Sequence, residues 1–327
     1  MAETVDATVG KTVYEIVGET VQRPAQVTAK ADKPAASAPR PETPPDDALA
    51  RRAYFPRGLV QPASGFRFGA DTLLLAAFVA RALPPAKPGR DKRLTGLDLG
   101  TGCGAASLGL LVVRPDLDLM LTGIDSSPEM VAAAGENARS LALDKRFRAE
   151  LAEVQDFRCS GPGPGPGPGP GMDLALANPP FRQPGTGRAC PDAARDRARF
   201  EGPGGFAAFA ACAARSLRPS GRLFLVHLAE RLPELLRLLG DSGLAPRRAL
   251  PVQGRAGQAP RLVLLDCQRR GQRTGRPDFT LLAPLVLYAA DGSLTPEAAE
   301  FCPPLASNPR RAGPGAGCAL AKGSDAG

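Results

Sequence analysis

The chain has no tryptophan, three tyrosines and a single histidine, His227. None of its seven cysteines (Cys103, Cys159, Cys190, Cys212, Cys267, Cys302 and Cys318) forms a CxxC pair. With one histidine and no such pair, zinc-site spacing is missing and no metal is expected. The chain is too long, and the cysteine spacing too irregular, for a disulfide scaffold, so reduced thiols in a cytoplasm are expected. There is no apolar run of about 18 residues, the length that reads as a membrane span. The opening segment MAETVDATVGKTVYEIVGET lacks the apolar stretch of a secretory signal.

Glycine (37) and proline (35) are plentiful instead, and they cluster. Arginine far outnumbers lysine, a bias that a GC-rich genome explains. The net charge of +8 favours a polyanionic partner without identifying one. Residues 1–46 are polar and then rich in Ala, Pro and Lys. They cannot bury enough apolar surface to offset ordering entropy and read as a disordered leader. The alternating Gly-Pro run at 161–171 reads as a loop inserted before a strand, because proline cannot continue a helix. Residues 305–327 read as a disordered tail. Between leader and tail, 47–304 is expected to be one domain, with 268–304 as its C-terminal extension.

Within that domain, helical and strand patterns alternate. Helices are expected at Leu73–Leu83, capped by Asp71 or Thr72 and stopped by Pro84-Pro85, and at Ala105–Val113, Ser127–Leu143, Gly204–Leu217 and Glu230–Leu239. Strands are expected at Leu94–Leu99, Asp118–Ile124, Phe147–Val154, Met172–Ala177, Gly221–Leu228, Ala245–Val252 and Arg261–Cys267. Such alternation implies an α/β fold with a mostly parallel seven-stranded sheet and helices on both faces.

Four motifs carry chemistry, each at the end of a strand. Asp98-Leu99-Gly100-Thr101-Gly102-Cys103-Gly104 follows the first strand and opens a helix. Its glycines admit a ligand close to the backbone, and the helix N-terminus offers free N–H groups. Asp98 would repel a pyrophosphate but suits the ammonium group of a methionine moiety. Asp125, ending the second strand, can accept hydrogen bonds from ribose hydroxyls or from the next helix N-terminus. Asp156-Phe157, after the third strand, can meet the amino group and ring of an adenine. Asn178-Pro179-Pro180-Phe181 follows the fourth. An exocyclic aromatic amine is a poor nucleophile, because its lone pair is delocalised into the ring. The Asn178 side-chain oxygen and the Pro179 carbonyl can accept its hydrogens, and Phe181 can stack on a flipped-out base.

Asp98–Gly104 and Asn178–Phe181 together resemble the class I methyltransferases of the small methyltransferase group that carry N-P-P-[YF]. Gln61–Leu75 (QPASGFRFGADTLLL) is similar to the segment before the cofactor domain in bacterial tRNA1(Val) (adenine(37)-N6)-methyltransferases. Pro284–Tyr288, Asp291-Gly292 and Leu294–Glu297 are similar to the C-terminal pattern of that family. The resemblance spans Arg51 to Phe301. It implies a Rossmann-like fold, S-adenosylmethionine as donor, and tRNA methylated at the adenosine beside the anticodon. It also implies that Phe68, Gly69 and Asp71 close over cofactor and base. Where relatives read ARHE this chain has Arg199-Phe200-Glu201, so the histidine is replaced. The N-P-P-[YF] motif is shared with enzymes acting on guanine amines in rRNA or on a release-factor glutamine, and these remain as alternatives.

The expected cofactor-binding residues are thus Phe68, Gly69, Asp71, Asp98, Gly100, Thr101, Gly102, Gly104, Asp125, Asp156, Phe157 and Asn178. Asn178, Pro179, Pro180 and Phe181 are the expected catalytic residues, and Arg182, Arg188, Arg199, Arg247 and Arg248 the expected RNA contacts. A cytoplasmic monomer is expected.

Overall fold

The structure is a computed structural model that describes residues 47–62, 67–85, 93–159, 171–181, 204–271 and 278–307. Its centre is built from short apolar runs. β1 (Leu94–Leu99), β2 (Leu119–Asp125) and β4 (Met172–Ala177) carry few charges because helices cover both of their faces. With β3 (Phe147–Leu151), β5 (Leu217–Leu228), β6 (Leu244–Arg255) and β7 (Leu262–Arg269) they form a sheet of order β3-β2-β1-β4-β5-β7-β6. All pairs are parallel except those of β7, which runs antiparallel to β5 and β6.

This is the expected Rossmann-like sheet with one addition. The C-terminal extension supplies β8 (Thr280–Leu281) and β9 (Leu285–Tyr288), both parallel to β6, and raises the count to nine strands. They cover an edge of β6 that would otherwise present unpaired backbone groups.

Strand order reverses between β1 and β4. The loops leaving their carboxyl ends therefore diverge and open a crevice there. Alternation along β4 feeds two cores. Leu174 and Leu176 pack with α2 (Ala70–Ala82) and α3 (Ala105–Val113), while Ala175 and Ala177 pack with α5 (Gly205–Ser216) and α6 (Leu232–Asp241). α2 is buried continuously from Thr72 to Ala80, which explains its lack of a polar face.

Some boundaries differ from expectation for visible reasons. α2 starts earlier, with Gly69 as its N-cap, and Asp71 sits in its first turn. α4 (Pro128–Ser140) starts on the Ser127 cap and ends before Leu143. The stop comes where Ala142 turns left-handed (φ 50°) and Arg52, in the last turn of α1 (Ala48–Ala53), donates to the carbonyls of Leu141 and Ala142 at 2.8 and 2.9 Å. β3 ends at Leu151, because residues 154–156 form a turn held by Arg215. At the C-terminus, α7 (Pro296–Phe301) is followed by a short 3-10 turn, and order continues past 304. Leu305 joins the core, and Arg57 Nε donates to the Ser307 carbonyl at 2.5 Å. The leader at 1–46 and the Gly-Pro stretch at 160–170 lie outside the described residues.

Candidate active site

The glycine-rich loop is held by the two acids that precede and follow it in the sheet. Asp98, fully buried at the end of β1, accepts hydrogen bonds on Oδ2 from Thr101 Oγ1 (2.8 Å) and Ser107 Oγ (2.7 Å). Burial pushes its pKa up to about 6, against the pull of the two hydroxyls and with a small further push from Asp125. Asp125 accepts from Gly102 N–H (2.8 Å) on Oδ2 and from Ser127 N–H (2.9 Å) on Oδ1, so it ties the loop to the start of α4. Burial raises its pKa as well. With one such bond on each, the two Asp125 oxygens retain lone-pair capacity for a ligand hydroxyl.

Gly100, Gly102 and Gly104 all have positive φ (68°, 56° and 84°), which the turn requires. A Cβ on Gly102 would meet nothing within 4 Å, so that part of the loop borders open space. A Cβ on Gly123 would lie 2.6 Å from Thr101 Oγ1, so β2 carries glycine where the loop leans on it. The N-cap of α3, Gly104, has no side chain to hold the first turn, and the Ser107 N–H there bonds the buried Asp98 carboxylate instead.

A segment before α2 crosses this loop. Asn137 in α4 exchanges hydrogen bonds with Val60, through Val60 N–H to Oδ1 (2.7 Å) and Nδ2 to the Val60 carbonyl (3.0 Å). Its Nδ2 also donates to the Cys103 carbonyl (2.9 Å). Leu59 and Phe68 pack on Cys103, Ala105, Met130 and Ala133. Asn137 is the structural link here, and sequence reasoning missed it because a buried asparagine inside a helix has no local signature. Residues 63–66 lie outside the described residues. Cys103 is buried and its thiol is pushed up to about 11, which agrees with a packing role.

Asn178 leaves the carboxyl end of β4 beside this loop. Its Nδ2 donates to Thr72 Oγ1 (2.8 Å) and Asp71 Oδ2 (3.3 Å), both at the start of α2. Thus the structure turns Asp71 toward Asn178. Pro179 is buried, and Pro180 and Phe181 are half-buried. The Phe181 ring lies 5.0 Å from that of His227, tilted by 52°, and the Phe206 ring lies 5.8 Å from it in an edge-on arrangement. His227 Nδ1 accepts from Leu228 N–H (2.8 Å), so its proton sits on Nε2, a buried atom without a partner among the described residues. Burial, reinforced by the Arg231 charge, pushes its pKa down to about 4. Arg231 in turn pairs with Glu234 (2.9 Å) and donates to the Phe181 carbonyl (3.4 Å).

The remaining expected residues scatter. Asp156 is exposed on the turn after β3, and Phe157 is half-buried against the second core. Arg182, Arg188 and Arg199 lie outside the described residues, as do Phe200 and Glu201. Arg247 is half-buried on β6. Arg248 is not presented to a ligand at the crevice. Its Nε lies 2.8 Å from the fully buried Asp266, which Arg222 also grips through Nε (3.0 Å) and Nη2 (2.6 Å). Arg248 lines a cavity of about 330 Å³ with Arg81 and Phe78. Arg81 is ten residues beyond Asp71, about 15 Å along α2 from the site. Among the described residues no cluster could hold a metal ion, and the five described cysteines are free thiols.

The sheet order, the glycine loop after β1 and the Asn-Pro-Pro-Phe turn after β4 define a class I methyltransferase. A solved structure described as a predicted O-methyltransferase from Agrobacterium tumefaciens shares the fold, with a TM-score of 0.50 and 19% identity over 72% of this chain and 96% of that one. The family model "Methyltransferase domain" matches residues 90–166. A tRNA1(Val) (adenine(37)-N6)-methyltransferase of Tolumonas auensis is 30% identical over 185 residues, covering 57% of this chain and 73% of that one. One of Yersinia enterocolitica is 28% identical over 237 residues, covering 72% and 83%. The chain belongs to the tRNA1(Val) (adenine(37)-N6)-methyltransferase family.

Proposed function

We propose that this protein transfers a methyl group from S-adenosylmethionine to the exocyclic N6 of an adenine in tRNA, the adenine beside the anticodon of tRNA1(Val). The observation that carries the reading is the orientation of Asn178. Its amide nitrogen is engaged by Asp71 and Thr72, so Oδ1 is the part of the amide available to an incoming amine.

The residues present fit the donor. Gly100–Gly104, where a Cβ on Gly102 would meet nothing within 4 Å, form a cradle for its methionine part, Asp98 supplies a negative charge, and Asp125 retains acceptor capacity for the ribose. S-adenosylmethionine supplies an electrophilic methyl group on a positive sulfur. Asn178 Oδ1 and the Pro179 carbonyl hold the two amine hydrogens, which aims the nitrogen lone pair and draws it out of conjugation. Phe181 offers its ring to the base, a stack worth roughly 1–3 kcal/mol. His227 does not act as a base: Nδ1 already accepts the Leu228 N–H, Nε2 carries the proton, and the ring stays neutral at working pH. None is needed before transfer, because the nitrogen becomes acidic once it carries the methyl group and releases its proton to water. Arg182, Arg188 and Arg199, following Phe181 in the chain, are the proposed phosphate contacts.

Asn178→Ala tests the reading. The variant should bind S-adenosylmethionine within about threefold of wild type and lose on the order of 100-fold or more in turnover on unmodified tRNA. Unchanged turnover would overturn it.

A further inference from the structure

An asparagine amide has nearly the same shape when its oxygen and nitrogen exchange places, so shape alone does not decide which atom faces a substrate. Two neighbours decide it here. Thr72 Oγ1 lies 2.8 Å from Asn178 Nδ2 and Asp71 Oδ2 lies 3.3 Å from it. Thr72 is buried within α2, and Asp71 sits in the first turn of the same helix, whose N-terminal dipole favours a carboxylate. The two neighbours act differently. A hydroxyl can donate or accept, so Thr72 would bond either orientation of the amide. Burial raises the pKa of Asp71, against the pull of the Thr72 backbone N–H, the Asn178 amide and the other N–H groups at the start of α2 that donate to its carboxylate. Oxygens already held as acceptors by these donors would repel Asn178 Oδ1 if the amide turned over.

We infer that Asp71 and Thr72 are positioning residues, Asp71 setting the sense of the Asn178 amide and Thr72 its angle, so that the site presents an acceptor and selects a base whose reacting edge is an amine rather than a carbonyl. This rests on the methyl-transfer reading above. It also explains why position 178 is an amide here. Aspartate at 178 would place a second carboxylate against Asp71, and the pair could not both stay ionised and close.

The test exchanges the pair. Asn178→Asp should lower kcat on tRNA by about 100-fold, and Asp71→Asn by about tenfold, because an amide at 71 no longer discriminates. The double variant Asp71→Asn/Asn178→Asp restores one donor and one acceptor, and should recover at least about tenfold over Asn178→Asp. Thr72→Val should lower kcat by about tenfold, with KM for S-adenosylmethionine unchanged, and Thr72→Ser should return it. A purely structural role would lower thermal stability without reciprocal rescue. A double variant no better than Asn178→Asp, with wild type active, overturns the inference alone. Inactivity of wild type on tRNA overturns the functional reading instead. The arrangement is then judged without substrate, from the side-chain amide protons of Asn178 in the NMR spectrum. They should be protected from exchange in wild type and unprotected in Asp71→Ala/Thr72→Val, which removes both acceptors; no protection in wild type overturns the inference.

Discussion

The ring of Phe181 rests 5.0 Å from the ring of His227, the only histidine in the chain. The proposed base-stacking residue of the Asn-Pro-Pro-Phe turn therefore packs on a neutral imidazole. This makes a stability prediction with a definite sign. The folded pKa of about 4 lies below the ordinary 6.5, so the unfolded chain binds the extra proton first. The favourable contribution is complete above pH 6.5 and is lost as pH falls toward 4. Urea denaturation at pH 4.5 and 7.5 should show wild type losing up to about 3 kcal/mol more than His227→Phe over that interval. Equal losses would show that the imidazole is hydrated.

Asp98 predicts the pH dependence of donor binding. Its pKa near 6 means that its charge is lost as pH falls through that value. Titration calorimetry should show S-adenosylmethionine affinity falling below pH 6 in wild type. Asp98→Asn should bind weakly at all pH values, with no inflection there. The same inflection in the variant would move the titrating group elsewhere.

Gly123 predicts a steric effect on the loop from a strand position behind it. Adding a methyl 2.6 Å from Thr101 Oγ1 must displace the loop or the strand. Gly123→Ala should cost about 1–3 kcal/mol of stability and weaken donor binding, measured by thermal shift with and without S-adenosylmethionine. An unperturbed ligand-induced shift would contradict the packing described.

Arg248 should behave as a structural residue. Removing it deprives buried Asp266 of one of two guanidinium partners. Arg248→Ala should lose about 1–3 kcal/mol of stability while leaving the salt dependence of tRNA binding unchanged. A shallower salt slope would return Arg248 to the RNA surface.

Much of this site was legible in the sequence because it lies where strands end. LTGLDL followed by a glycine loop, LMLTGID ending in an acid, and MDLALA followed by Asn-Pro-Pro-Phe are each local signals, and the parallel sheet aligns their carboxyl ends. What was not legible depends on contacts far apart in the chain. The grip of Thr72 on Asn178 spans 106 positions, and that of Asn137 on Val60 spans 77. Arg248 looked like a phosphate contact because its partner, Asp266, meets it only through the antiparallel pairing of β6 with β7. β8 and β9 escaped notice because strands of two and four residues, here read as an extension, have too few positions to show alternation.

The purified protein is to be given S-adenosylmethionine with a labelled methyl group, together with unmodified total tRNA and rRNA, and the labelled nucleoside identified by mass. Label is expected as N6-methyladenosine in tRNA. Label recovered as N2-methylguanosine in rRNA, or on protein alone, would contradict the proposed function.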